Sequence, residues 1–275
     1  TRILLLYTII SNPFYFLSRF NDYQTQGIPI MNDDLEKMKY YLSILDKKVS
    51  KHLEIVPSNN IPALHISPDH DLKDLVPRIG KRQGDKEDRT VPRICVSSTL
   101  IGCLVGYAAA EYEFMNKVPK DKLPRGVKET WRGGWYIYQI PFEYGLRPDS
   151  KLVYDAPLSK EFWLVNYKAG VKYIPNKVGK IFINKAERVY TGKGFNERYM
   201  YYIKVDDTIV LEYNEKEDTQ VTLKKGCYRL SLESDGGYDY KKDFTLVPIT
   251  ESEFENIRKE TVSLLSFSDN PSIHW

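Results

Sequence analysis

From about residue 180 the chain is broken into short alternating apolar and polar runs, at 180–184, 187–191, 199–205, 208–213, 219–224, 227–233 and 243–247. Gly, Asn and Asp part them; Asp207 sits in one turn and Asp235-Gly236-Gly237 in another. Alternation with a period of two is what a strand with one buried face requires. Strands recurring at such short intervals predict an antiparallel meander, sandwich or small barrel. The aromatic content agrees: 21 Tyr and 11 Phe stand against 4 Met, and Tyr favours strands. Thr250-Glu251-Ser252-Glu253 then reads as a capping box opening a helix to about Leu265.

The first part of the chain has another texture. Asn32-Asp33-Asp34 can cap a helix, and Leu35, Met38, Leu42, Leu45 and Val49 recur at helical spacing as far as about Leu53. Ile61–Ser67 predicts a strand closed by Pro68. A long charged loop follows over 68–93, with one helical turn expected at Asp71–Leu75. Arg93–Ser98 reads as a buried strand running straight into a small-residue helix over Thr99–Tyr112. Trp135–Ile140, Lys151–Tyr154 and Glu161–Val165 are further strand candidates. The change of texture near Tyr167–Asn176 predicts two domains, 32–170 and 171–275, after an N-terminal extension of 1–31. The apolar run Ile3–Ile10 is far shorter than the roughly 20 residues of a membrane-spanning helix. It is expected to pack as a strand or helix.

Charge and cysteine usage narrow the function. Forty Lys+Arg against 37 Asp+Glu leave a formal charge of +3, which does not announce a nucleic-acid binder. Cys95, Cys103 and Cys227 form no C-x-x-C pair and have no histidine at ligand spacing. The expectation is therefore no metal site, no disulfide framework and a reducing, cytoplasmic compartment. Cys95 and Cys103 lie among apolar residues and are expected to be buried, inert thiols.

Three polar positions interrupt otherwise apolar strands: His65, the pair Ser97-Ser98, and Glu161. A strand bearing His then Ser (Leu64-His65-Ile66-Ser67) comes first. A strand ending in Ser and entering a helix (Val96-Ser97-Ser98-Thr99-Leu100) follows, and then a Glu opening a late strand (Lys160-Glu161-Phe162-Trp163). This order resembles the ADP-ribosyltransferase fold, whose members include bacterial toxin domains. The resemblance covers roughly residues 61–168, and the Lys-, Tyr-, Asn- and Ile-rich composition suits a phage or a Firmicute. It implies an α+β chain: an ADP-ribosyltransferase-like split-sheet domain followed by a small antiparallel all-β domain with a C-terminal helix. It also implies NAD as substrate, bound in a cleft between two small sheets. Glu161, His65 and Ser98 are then catalytic, and His65, Ser97, Ser98 and Arg78 bind NAD. The family's E-x-E form is absent, because Ser159 stands two residues before Glu161.

Each role also has its own chemical basis. Breaking the nicotinamide–ribose bond passes through an oxocarbenium-like centre, which a fixed carboxylate such as Glu161 stabilises. Neutral His65 can both donate to and accept from ribose hydroxyls. Arg78 in the charged loop can clamp a diphosphate. Plainer readings stand beside these: His65 as a structural histidine, Ser98 as a helix cap, and Glu161 paired with Lys160. The functional alternatives are an NAD-consuming enzyme, with a protein target or host factor on the C-terminal domain, and a non-catalytic module on the same fold. Such a module would be a virion component or host-factor inhibitor.

Overall fold

The computed structural model describes residues 33–59, 61–67, 69–79, 88–106, 134–191, 194–214, 219–234 and 240–266. Expectations for residues 1–31, for residues 80–87 of the charged loop, for the segment 107–133 and for the turn at Asp235-Gly236-Gly237 lie outside these.

Helix α1 (Asp34–Ile44) starts where the sequence predicts, with the Asp33 carboxylate accepting from the Leu35 amide at 2.9 Å. It stops a turn after its midpoint instead of reaching Leu53. Asp46 offers a fresh cap, its carboxylate accepting from the Lys48 amide, and begins the short α2 (Lys47–Ser50). Leu53 then opens strand β1 (Leu53–Pro57). Next come β2 (Leu64–Ser67), β3 (Ile94–Ser97), helix α3 (residues 100–106), β4 (Gly134–Gln139) and β5 (Tyr144–Pro148). Residues 151–154, expected as a strand, form turns. The Asp149 carboxylate accepts from the amides of Lys151 and Leu152 and folds the chain back. The expected helical turn at Asp71–Leu75 is likewise absent; Leu75 instead bridges Tyr173.

A four-residue helix α4 (Ala156–Ser159) leads into β6 (Glu161–Leu164). The seven predicted runs of the last hundred residues become six strands, because 180–184 and 187–191 both fall in β7 (Asn176–Thr191); β8 (Gly194–Val205), β9 (Ile209–Asn214), β10 (Thr219–Leu223), β11 (Gly226–Ser234) and β12 (Tyr240–Ile249) follow. Helix α5 (Glu251–Ser266) closes the series, its Glu253 amide donating to the Thr250 hydroxyl as the capping box requires.

Ten strands form one antiparallel sheet in the order β1-β5-β6-β3-β2-β4-β7-β8-β11-β12, and β9–β10 is a separate hairpin. The sheet crosses the change of texture, because β4 pairs with β7 from Gly134↔Phe182 to Gln139↔Asn176. One face carries Leu64, Ile66, Trp135, Ile137, Ile181 and Ile183 against Leu100, Ile101 and Leu104 of α3. The hairpin residues Ile209, Leu211 and Leu223 join the same cluster. Further along this face, Leu146 and Trp163 pack on Met38 and Tyr41 of α1. On the opposite face Ala63, Val96, Phe162 and Leu164 gather with Tyr173, and Phe182 and Tyr202 meet Phe254 of α5. Both faces are thus covered, which is why most strands are apolar on both sides.

The join between β2 and β3 is thin. A single register pair, Leu64↔Ser97, holds them. Among the described residues no helix is long and apolar enough to cross a membrane.

Candidate functional site

The three strands that carry His65, Ser97 and Glu161 are immediate neighbours, in the order β2-β3-β6. Register then decides which side chains meet. Ser97 lies opposite Glu161 and Cys95 opposite Trp163, and directly opposed residues share a face. Leu64 shares it too, through Leu64↔Ser97. This is the face bearing α1 and α3. His65 alternates to the other face with Ala63 and Val96. His65 and Glu161 are therefore not one hydrogen-bonded group; Cys95 stands between them.

Glu161 is the electrostatic centre. Burial raises its carboxyl above the usual carboxylate range, while Trp163, Arg93 and Cys95 work in the other direction and Asp155 adds to the rise. Trp163 Nε1 donates to Glu161 Oε1 at 2.5 Å, as the i, i+2 spacing along one strand face permits. The Cys95 thiol lies on the same sheet face, and its proximity favours the ionised carboxylate. Arg93 is nearby but committed: its guanidinium stacks 4.1 Å from the Trp163 ring centre, and Nη1 donates to the Asp88 carbonyl at 2.8 Å. Asp155, at the N-cap of α4, makes no side-chain cap bond, and burial raises its carboxyl as well.

Cys95 differs from its sequence expectation. It is exposed to solvent, although it lies on a strand with neighbours on both sides. Burial, followed by the Glu161 charge, nonetheless pushes its thiol well up. The thiol stays protonated there, so it serves as a hydrogen-bond donor and not as a nucleophile. Cys103 is half-buried rather than buried, but its thiol is inert as expected, pushed by burial to about 12 and donating to the Leu64 carbonyl at 3.2 Å.

His65 stands at the parting of β2 and β3. Nδ1 lies 3.1 Å from the Cys95 carbonyl oxygen, which can only accept, so Nδ1 carries the proton. Burial lowers its pKa, and the Arg78 cation adds to that. The ring is therefore neutral, with Nε2 left as an acceptor. Arg78 is exposed and bridges Arg93 through the backbone, which brings the expected diphosphate clamp close to the expected ribose ligand.

The serines divide their duties. Ser97 Oγ donates to the Ser159 carbonyl at 2.7 Å and accepts from the Thr99 amide. The cap of α3 belongs to Thr99, whose hydroxyl accepts from the Gly102 amide at 3.0 Å, and not to Ser98. Ser98 is half-buried beside it. Lys160 does not pair with Glu161 either; it turns away to Glu212 and the Tyr213 carbonyl.

Sequence reasoning missed Cys95 and Asp155 as members of the site, and counted Arg93 only among the loop cations, whereas it packs on Trp163. Alternation with Ile94 and Val96 was the available signal for Cys95, since it placed the thiol on Ser97's face. Among the described residues no group of His, Cys, Asp and Glu is arranged to hold a metal ion. Comparison with protein-family models, with curated proteins and with solved structures gave no match to this chain.

Proposed function

We propose that the protein consumes NAD, as a mono-ADP-ribosyltransferase or an NAD glycohydrolase, with Glu161 as the working carboxylate. The observation that carries this reading is a half-buried carboxylate, two residues along the same sheet face from the exposed Cys95, whose ionisation burial makes costly. Such a group gains most from a ligand that brings positive charge. The nicotinamide ring of NAD is cationic, and the ribosyl centre left on its departure is oxocarbenium-like.

In the reaction the C1′–N bond breaks and its electron pair leaves with nicotinamide, which becomes neutral. The acceptor's lone pair then forms the new bond to C1′, and the acceptor's proton passes to solvent. With water as acceptor the products are ADP-ribose and nicotinamide. Glu161 accepts a hydrogen bond from the ribose 2′-hydroxyl and stabilises the developing charge. Trp163 orients it by donating to Oε1. His65 offers Nε2 to a ribose hydroxyl, Arg78 meets the diphosphate, and Ser97 holds the α4–β6 turn through Ser159. Ser98 is the remaining hydroxyl for substrate. The strands after β7 present the surface for a protein target or host factor. Free thiols at Cys95, Cys103 and Cys227 support a reducing, cytoplasmic setting.

One observation favours the second reading, a non-catalytic module. His65 and Glu161 alternate to opposite faces, and Glu161 Oε1 is already bonded within the protein. The deciding experiment measures nicotinamide release from NAD by the purified chain, beside Glu161→Ala, with and without a cell lysate as acceptor. Release lost in the variant supports the enzyme. No release, and no NAD-induced rise in melting temperature, supports the module.

A further inference from the structure

We propose that Lys160 is a positioning residue for Glu161, anchored by the β9–β10 hairpin through Glu212 and Tyr213, so that the hairpin sets the stance of the site's carboxylate. This rests on the reading of Glu161 as the working group.

Lys160 has φ 49° and ψ 34°. Among the described residues it is the only one other than glycine with a positive φ. It ends α4 in the left-handed conformation, where glycine is the usual choice because a Cβ is unfavourable there. What a glycine would lose is the side chain, and that side chain is engaged. Its exposure is 12%, Nζ pairs with the Glu212 carboxylate, whose exposure is 15%, and Nζ also donates to the Tyr213 carbonyl. The Tyr213 ring centre lies 5.6 Å from Nζ. Glu212 Oε1 is held in turn by the Tyr213 amide at 2.9 Å.

A buried ion pair is a poor source of net stability, since desolvation offsets its attraction; its better-attested use is to fix one arrangement. The arrangement fixed here is the residue directly before Glu161. The residue before that is pinned as well, through the bond from Ser97 to the Ser159 carbonyl. The anchor itself is rigid, because Ile209, Leu211 and Leu223 seat the hairpin in the main core. Two consecutive turn residues are thus tied to different parts of the fold, and Glu161 enters β6 opposite Ser97 on a fixed path.

Trp163 supplies a direct readout, because its indole N–H donates to Glu161. In the full-length protein its indole 15N–1H signal is assigned by replacing Trp131, Trp135 and Trp275 in turn, and is followed across pH. Its midpoint reports Glu161, and Glu161→Gln removes the titration. Lys160→Gly, which relieves the backbone, and Glu212→Gln are expected to move the midpoint toward the ordinary carboxylate value by about half a unit or more. Lys160→Arg is expected to keep it near wild type. A midpoint unchanged in both Lys160→Gly and Glu212→Gln, or a shift that Lys160→Arg shares, overturns the proposal. Nicotinamide release is measured alongside. Its absence in wild type, with the shifts intact, counts against the NAD reading and leaves the positioning role standing.

Discussion

Gly102 and Gly106 lie one turn apart on α3, and the same substitution is expected to act on them with opposite sign. Replacing a helical Gly by Ala gains about 1 kcal/mol from backbone entropy alone. At position 106 a new Cβ meets only the Ser159 Cβ at 3.9 Å, an ordinary contact, so Gly106→Ala is expected to stabilise by about 0.5–1 kcal/mol. At position 102 the new Cβ would lie 2.2 Å from both the Ser159 carbonyl oxygen and Ser97 Oγ. Nonbonded heavy atoms settle near about 3.5 Å, so helix and sheet must move apart by roughly an ångström. Overpacking of this kind costs about 1–3 kcal/mol, and the Ser97–Ser159 hydrogen bond at risk is worth about 1 kcal/mol more. After the helical gain is subtracted, Gly102→Ala is expected to destabilise by about 1–3 kcal/mol. Urea unfolding with a constant slope compares the two directly, through midpoints that move to opposite sides of wild type. If Gly102→Ala is as stable as wild type, or both midpoints shift the same way, α3 does not lie on Ser97 and Ser159 as described.

Three further expectations follow from burial and charge. The Glu161 carboxyl has a folded pKa above its unfolded value. Its contribution to stability is therefore complete below the unfolded pKa and is lost as pH rises through the folded one. Glu161→Gln should be more stable than wild type at neutral pH, with the advantage vanishing in acid; parallel stability–pH curves for the two proteins would contradict this. His65 is shifted the other way, its folded pKa lowered by burial, so its contribution is present above about pH 6.5 and lost as pH falls through the folded value. His65→Gln is expected to flatten the acid limb of the stability profile, and an unaltered limb would refute a buried neutral ring. Phe254 is fully buried between α5 and the sheet. Phe254→Ala should cost about 3–5 kcal/mol in chemical unfolding, and a loss under 1 kcal/mol would mean that α5 does not dock there.

The parts of the fold that were legible in sequence are those governed by local rules. Alternation located β8 to β12 within a few residues, and Thr250 with Glu253 marked the start of α5 correctly. β5 escaped because Gly145 and Pro148 are poor strand formers. Gly145 is there for close packing, since a Cβ would come within 2.9 Å of the Phe162 ring. Lys151–Tyr154 looked more extended, but the Asp149 carboxylate turns that segment. The end of α1 depended on Asp46 outcompeting the helix, and no periodicity measures that contest. For the site, the sequence placed His65, Ser97 and Glu161 on three strands. It did not tell that these strands are neighbours in one ten-stranded sheet, where two small sheets were expected, or which face each side chain takes, because both depend on pairing and register. Cys95 was misjudged for a related reason: apolar neighbours in sequence do not reveal that the two helices leave its part of the face open.

The lone register pair between β2 and β3 has a mechanical consequence. A sheet resists bending through its rungs, and at this line the rungs are reduced to Leu64↔Ser97 plus the bond from His65 to the Cys95 carbonyl. His65 rides with one side of that line; Cys95, Glu161 and, through its backbone bridge to Arg93, Arg78 ride with the other. The angle between the two strips is therefore governed by the torsion of one against the other, with His65 itself acting as the clasp. A few degrees of added twist there alter the spacing of every group in the site together, without any side chain changing its rotamer.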